Sequence, residues 1–323
     1  MNETIRDLVF SGNTAELNKL LSGNKDLANS ADQYNRKYIS LAAAIGEIDI
    51  VKTFIEAGAD INAGNADDLG YTPLMEAIND DRAEMVQFLL DNGADVNATD
   101  TIGGTALFRA CVSARPELLK LLLKAGAAVD ANNNEGSTAL HYVCQHAVSW
   151  GGWTILETVD GVETEKPNMR IYEHLEIIKI LLDHGAAINS FNSGGYSALH
   201  FSAHTGNAVF VTELLARGAK PDLVNTNGYS PLHAASDNGQ LSCIQLLAEA
   251  GADVNRPDGY GFRPIHGATL SGNTEAVAYL LKKGARPEEK VEQGYGEIQA
   301  GFSAIDIALL NKQEKMLQVL HAK

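Results

Sequence analysis

The feature that most constrains this chain is a five-residue phrase that returns on a fixed beat. Gly-Ala-Asp-Val-Asn, or a near copy, starts at Gly58, Gly93, Gly126, Gly185, Gly218, Gly251 and Gly284, at intervals of 35, 33, 59, 33, 33 and 33 residues. A second phrase, Thr-Pro-Leu-x-x-Ala from Thr72 to Ala77, keeps the same beat, with variants at Thr105, Thr138, Ser197, Ser230 and Ser303. A period of this length is the signature of a solenoid, in which each repeat buries its apolar faces only by stacking on its neighbours. Stacked repeats present an extended binding surface rather than a catalytic cleft.

One unit reads clearly from Gly228 to Gly251. Gly228 suits the positive φ of a tight turn. Ser230 is a helix N-cap, and Pro231 fits the first helical position, where no amide donor is needed. Leu232, Ala235 and Ser236 give a short helix with small residues for close approach, and Gly239 ends it. A second helix starts near Leu241, carries Ile244, Leu246 and Leu247 on its apolar face, and ends at Gly251 in a left-handed cap.

These residues resemble the ankyrin repeat. Seven full units carry Ile39, Leu74, Leu107, Leu140, Leu199, Leu232 and Ile265 at the leucine position of the first helix. A shortened unit at Ile305 closes the chain, and a degenerate one with Ile5, Leu8, Leu17, Leu20 and Leu21 opens it. The resemblance implies an all-α repeat solenoid: an ankyrin array of about nine helix-turn-helix units with β-turn fingers. Its expected organisation is a single domain over 1–323, with capping units at 1–34 and 302–323 around seven full repeats at 35–301. Stacked at about 10 Å per helix pair, such an array is elongated, about 80–90 Å in all. The pattern has gaps: Asn35 stands at a turn-glycine position, and Asp81 at a mid-unit one.

Two insertions break the beat. The larger, near 147–172, falls between the two helices of one unit. Within it, Thr154–Val159 and Val162–Lys166 flank Asp160-Gly161, which predicts a β-hairpin. Both tryptophans, Trp150 and Trp153, sit at its root, either pinning the hairpin or forming an added recognition element. The smaller one predicts an extended finger over Pro287–Ala300, with Gly294 and Gly296 as turn residues.

Net charge is −16, and no basic patch marks a nucleic-acid binder. Solubility is the first reading of such a charge, and a partner with a basic surface the second. Cys111, Cys144 and Cys243 read as small core residues in a reducing compartment. The first ten residues offer no signal-peptide run, and no segment reaches the length of a membrane span. The expectation is a cytoplasmic monomer that binds neither membrane nor nucleic acid.

Four histidines are repeat residues rather than a catalytic set. His141, His200, His233 and His266 recur at multiples of 33. The resemblance implies that each ties one repeat to the next by hydrogen bonds. His200, His204 and Asp237 form at most a weak metal face, with no HExxH or cysteine pair beside them. Cys144 lies near His141 and His146 in the sequence, but a core thiol explains it. Neither a catalytic residue, nor a metal site, nor a cofactor is expected. Asn97 and Asn255 follow Asp-Val with a leucine eight residues earlier, which resembles the asparagine-hydroxylation pattern of ankyrin repeats.

The expected function is therefore a non-enzymatic scaffold for another protein. The alternative is an enzyme or small-ligand binder with its site on the tryptophan-containing hairpin. In the family, the concave face is built from fingers and first helices. By register its variable positions here include His204, Asp237 and Asn238, before the mid-unit glycine. They also include Tyr71, Tyr196, Tyr229 and Phe262, after the turn glycine. Tyr260 and Asp258 lie beside them, and Trp150 and Trp153 complete the expected partner-binding set. Rigid aromatics are favoured interface anchors, and acids beside them suit a partner that offers Arg or Lys.

Overall fold

A computed structural model describes residues 4–146, 154–159, 162–167 and 170–322. Eighteen α-helices lie among them. The first eight are α1 (Ile5–Ser11), α2 (Thr14–Gly23), α3 (Tyr38–Ile45), α4 (Ile48–Glu56), α5 (Pro73–Asn79), α6 (Ala83–Asp91), α7 (Ala106–Val112) and α8 (Pro116–Lys124). Helix α9 (Ala139–His146) is followed by strands β1 (Thr154–Val159) and β2 (Val162–Pro167), then by α10 (Arg170–Asp183). The rest are α11 (Ala198–His204), α12 (Ala208–Ala216), α13 (Pro231–Asp237), α14 (Leu241–Glu249), α15 (Pro264–Leu270), α16 (Thr274–Lys282), α17 (Ala304–Leu310) and α18 (Glu314–His321). The chain is an all-α repeat fold. Strands β1 and β2 pair antiparallel, with Ile155 opposite Lys166 and Val159 opposite Val162. Helix α10 begins at Arg170, so the last residues of the stretch expected as insertion, 170–172, are helical instead. Ile177, Ile178 and Leu181 give that helix its buried face, and each residue added at its start gains a backbone hydrogen bond, so it extends back through 170–172. The tryptophans Trp150 and Trp153 lie outside the described residues.

Contacts divide the chain into two compact units. Unit 1 holds Met1–Val143 and Tyr172–Ala186, and unit 2 holds Cys144–Ile171 and Ala187–Lys323. In unit 1, the first helices α1, α3, α5 and α7 pack in sequence, with α2, α4, α6 and α8 as the second helices. In unit 2, α11, α13, α15 and α17 pack side by side, as do α12, α14, α16 and α18. Each core lies between its two helix rows. Phe54 and Phe108 are among the largest fully buried side chains of unit 1, and Phe210 of unit 2.

Local sequence explains the short first helices. The Ser230 hydroxyl accepts from the His233 amide at 3.4 Å, Pro231 opens α13, and Gly239 closes the turn at φ 62°. Such an N-cap contributes about 1 kcal/mol. Where the repeat lacks glycine, the backbone takes the left-handed region anyway. Asn35 has φ 62°, and Asp81, Ala114 and Lys312, which share the mid-unit position of Gly239, lie at 57°, 54° and 54°. Register, not residue type, sets the turn at those places. It carries a strain cost of about 1 kcal/mol, smallest for Asn and Asp.

Adjacent repeats are clamped by side chains at the end of the Gly-Ala-Asp phrase. Asn97 Oδ1 accepts from the Ala128 amide at 2.9 Å in unit 1, and Asn255 Oδ1 from the Arg286 amide at 3.0 Å in unit 2. Asn255 Nδ2 also donates to the Gly284 carbonyl at 2.8 Å. The two asparagines singled out by the hydroxylation pattern thus do structural work.

Candidate functional site

Unit 2 gathers five aromatic side chains, Tyr196, Tyr229, Tyr260, Phe262 and Tyr295, where the fingers meet the first helices. Asn225 shapes one finger: its Oδ1 accepts from the amides of Asn227 and Tyr229 at 2.9 and 3.0 Å. Asp258 shapes the next in the same way, accepting from Tyr260 and Phe262 at 2.9 and 2.8 Å. The Gly259 amide donates to the Asn227 carbonyl, tying the two fingers together. Gly228, at φ 73°, permits that approach, because a Cβ there would lie 3.3 Å from Asp258 Cα. The finger that follows bends back through a bridge between Tyr295 and Ile298, with Gly296 at φ 60°. Val291, Ile298 and Ile307 form a small core beneath it, against which Phe262 and Phe302 pack.

Buried histidines lock these fingers to the helices. His200 Nε2 donates to the Tyr229 carbonyl at 3.1 Å, His233 Nε2 to that of Phe262 at 3.1 Å, and His266 Nε2 to that of Glu289 at 2.9 Å. A carbonyl only accepts, so Nε2 carries the proton. Nδ1 of His233 accepts from the Ser230 amide at 3.1 Å. Both nitrogens are thus occupied in the neutral ring. Burial is the main reason that His233 and His266 are each lowered to about 4.

Tyr229 is the hub of the site. Its ring stacks on His233 at 5.3 Å and meets Tyr196 edge-on at 6.3 Å. Its hydroxyl donates to Asp237 Oδ2 at 2.7 Å. Burial pushes the Tyr229 hydroxyl well up, with the Asp237 charge adding, so it stays a donor. Asp237 is open to solvent as a residue, but its carboxyl end lies against the helix face at Gly267. That burial, with the charge of Asp258 adding, raises its pKa above the ordinary value. Burial likewise raises Asp258.

Two adjoining grooves result, divided by Tyr196 and Tyr229. One, of about 470 Å³, runs over His200, Phe201, His204 and Thr205. The other, of about 460 Å³, is walled by Tyr196, Tyr229, Tyr260, Phe262 and Tyr295, with Asp237 and Asp258 among its polar groups. Of the expected partner-binding residues, the second groove brings together Tyr196, Tyr229, Asp237, Asp258, Tyr260 and Phe262. His204 lines the first, held to Asn238 by a 2.9 Å contact. Tyr71 sits in unit 1 under the guanidinium of Arg109, 5.0 Å from its ring centroid. Register also placed Leu270, two residues before a mid-unit glycine, on this face, while sequence reasoning missed Asn225, Asn227 and Tyr295 as lining residues. The exposed ring of Tyr295 between two finger glycines was the available signal.

Cys144 is fully buried, and burial pushes its thiol up to about 12, the reverse of what a nucleophile needs. Among the described residues no group of three or more His, Cys, Asp or Glu side chains is placed to hold a metal ion. Among them, too, no helix is long and apolar enough to cross a membrane.

Comparison with known proteins agrees with this architecture. Over 102 residues the chain is 29% identical to the phosphocholine transferase AnkX of Legionella pneumophila, a match that covers 31% of this chain and 10% of that enzyme. Over 87 residues it is 38% identical to alpha-latrocrustotoxin-Lt1a of Latrodectus tredecimguttatus, covering 25% of this chain and 6% of the toxin. The chain therefore spans a tenth or less of the length of these curated relatives. The family model described as ankyrin repeats in three copies matches residues 7–100, 92–152 and 205–291, and a second, described as ankyrin repeats in many copies, matches 169–212. With most of its length matched, and with helix pairs whose histidines bond to the next finger in the same register, this chain belongs to the ankyrin repeat family.

Proposed function

We propose that this chain is a non-enzymatic scaffold, one repeat domain over 1–323 acting as a cytoplasmic monomer, that binds a protein across the fingers and first helices of unit 2. Ankyrin repeats generally mediate protein–protein interaction. The observation that carries the reading is the Tyr196–Tyr229–Tyr260 groove, because ordered tyrosines on a rigid frame are the usual anchors of an interface. Tyr196 and Tyr260 are 38% and 43% exposed, enough for a partner to cover. The acids beside them favour a basic partner surface. Transferase chemistry is not carried over from AnkX, given that the match covers 10% of that enzyme. A site on the β1–β2 insertion would rest on Trp150 and Trp153, outside the described residues, and no observation favours it.

The test uses the partner retained from the native host. Tyr229→Ala with Tyr260→Ala is expected to weaken its binding by at least about 2 kcal/mol, roughly thirtyfold, while helical circular dichroism is unchanged. Unchanged affinity in a folded double variant would place the partner elsewhere.

A further inference from the structure

Two places in this chain share one register and differ in two charged groups. In unit 1, Tyr71 follows the turn glycine Gly70, Asp100 opens the next finger, and Arg109 lies six residues after that finger's glycine, Gly103. Arg109 Nη1 donates to the Tyr71 hydroxyl at 2.5 Å, its guanidinium covers the Tyr71 ring, and Nη2 lies 3.8 Å from Asp100 Oδ2. Arg109 and Asp100 are each 7% exposed. The chain thus shows how one tyrosine and one finger aspartate hold a guanidinium between neighbouring repeats.

In unit 2 the same register gives Tyr229, Asp258 and, at the place of Arg109, Gly267. Asn79, the unit 1 counterpart before the helix end, becomes Asp237. The tyrosine and the aspartate are kept, a second carboxylate is added, and the arginine is left out. A glycine inside a short helix costs about 1 kcal/mol against alanine, so its place here asks for a reason. The reason is space: a Cβ on Gly267 would collide with Asp237 Oδ1. The helix face stays bare so that a carboxylate lies against it.

Among the described residues, no lysine or arginine lines the resulting groove. The nearby arginines are engaged elsewhere, Arg263 with Glu289 at 3.3 Å and Arg256 with Asp222 at 3.4 Å. Burial keeps both carboxyls above their ordinary pKa, and the charge of Asp258 adds to the rise at Asp237, so a cation arriving there relieves a cost already present. A guanidinium matches this lining better than an ammonium, because it stacks on a ring and pairs with carboxylates in one pose.

We propose that the groove is an arginine receptor: it seats the guanidinium of a partner's arginine over Tyr229 and against Asp237 and Asp258, at the register position where unit 1 supplies Arg109. This rests on the scaffold reading above and names the side chain that it recognises.

The experiment titrates acetyl-Gly-Arg-Gly-amide, and its uncharged citrulline twin, into the full chain labelled with 15N. Backbone amide shifts of Tyr229, Asp237 and Gly267 are followed. The arginine peptide should give saturable shifts at these amides with Kd in the millimolar range, and the twin at least about tenfold weaker binding. Asp237→Asn with Gly267→Arg copies Asn79 and Arg109 and should abolish the response by filling the seat from within. Should that variant fold poorly, Asp258→Asn keeps the finger turn, as Asn225 does in the preceding finger, and should weaken binding several-fold. Equal binding of the citrulline twin, an unaltered response in either folded variant, or no shift at these amides up to about 10 mM would overturn the proposal. If a protein held by this face keeps its affinity after its contacting arginines are changed to glutamine, the arginine assignment fails and the scaffold reading stands. If the peptide binds as expected but no protein is retained through this face, the scaffold reading fails alone.

Discussion

Acidification should destabilise unit 2 through two histidine rings before most of its carboxylates titrate. His233 and His266 are 1% and 0% exposed, and each is lowered to about 4 from 6.5. Between those values the unfolded chain binds protons that the folded rings refuse. Stability is therefore full above about pH 6.5, is lost as pH falls toward about 4, and loses nothing further to these rings below it. The gap is worth about 3 kcal/mol per ring. Facing charges tune the effect: Arg256 lowers and Asp253 raises His233, while Arg263 and His233 lower and Asp258 raises His266. Unit 1 carries a carboxyl of opposite sign. Burial raises Glu76 to about 7, so its protonation favours the folded state as pH falls from about 7 toward 4.5. Urea titrations near pH 7.5 and 4.5 on the wild type and on His233→Gln, His266→Gln should show a steep loss in the first and a shallower one in the second. Equal pH dependence in the two would mean that the rings are not held neutral.

Replacing Phe210 by alanine should cost about 3–5 kcal/mol. The ring is fully buried in α12, which packs against α11 and α14. Its amide is fixed by Asn207 Oδ1 at 3.2 Å, so the helix start has little freedom to collapse into the void. The loss should appear as a lower urea midpoint and as faster hydrogen exchange in α11, α12 and α14, since each repeat leans only on its neighbours. A loss below about 1 kcal/mol would mean that the second-helix row repacks around the gap.

Much of this fold was legible because the repeat states it several times over. The N-cap serines, the proline at the first helical position and the glycine caps at Gly239 and Gly251 fall where the sequence places them. The histidine ties were implied by resemblance, and His200, His233 and His266 make them. Register also located the two turns where glycine is missing, at Asn35 and Asp81; Ala114 escaped notice, because alanine carries no turn signal of its own. The site was only half legible. Position in the repeat identified Tyr196, Tyr229, Asp237 and Asp258, but not the bond between Tyr229 and Asp237, which depends on side-chain direction. Nor did it identify the contact of Arg109 with Tyr71, or the reason for Gly267. Those emerge only when three dimensions show which side chain fills the space above a neighbouring helix.

The scaffold reading puts a protein partner across the fingers and first helices of unit 2. The most direct measurement is photo-crosslinking in the native host from a benzoyl-phenylalanine placed at Tyr260, exposed on that face, and in parallel at Glu249, exposed at the end of α14. A partner on that face should give a discrete covalent adduct from position 260, lost on Tyr229→Ala, and none from position 249. Adducts from position 249 alone, or an adduct at 260 indifferent to Tyr229→Ala, would contradict it.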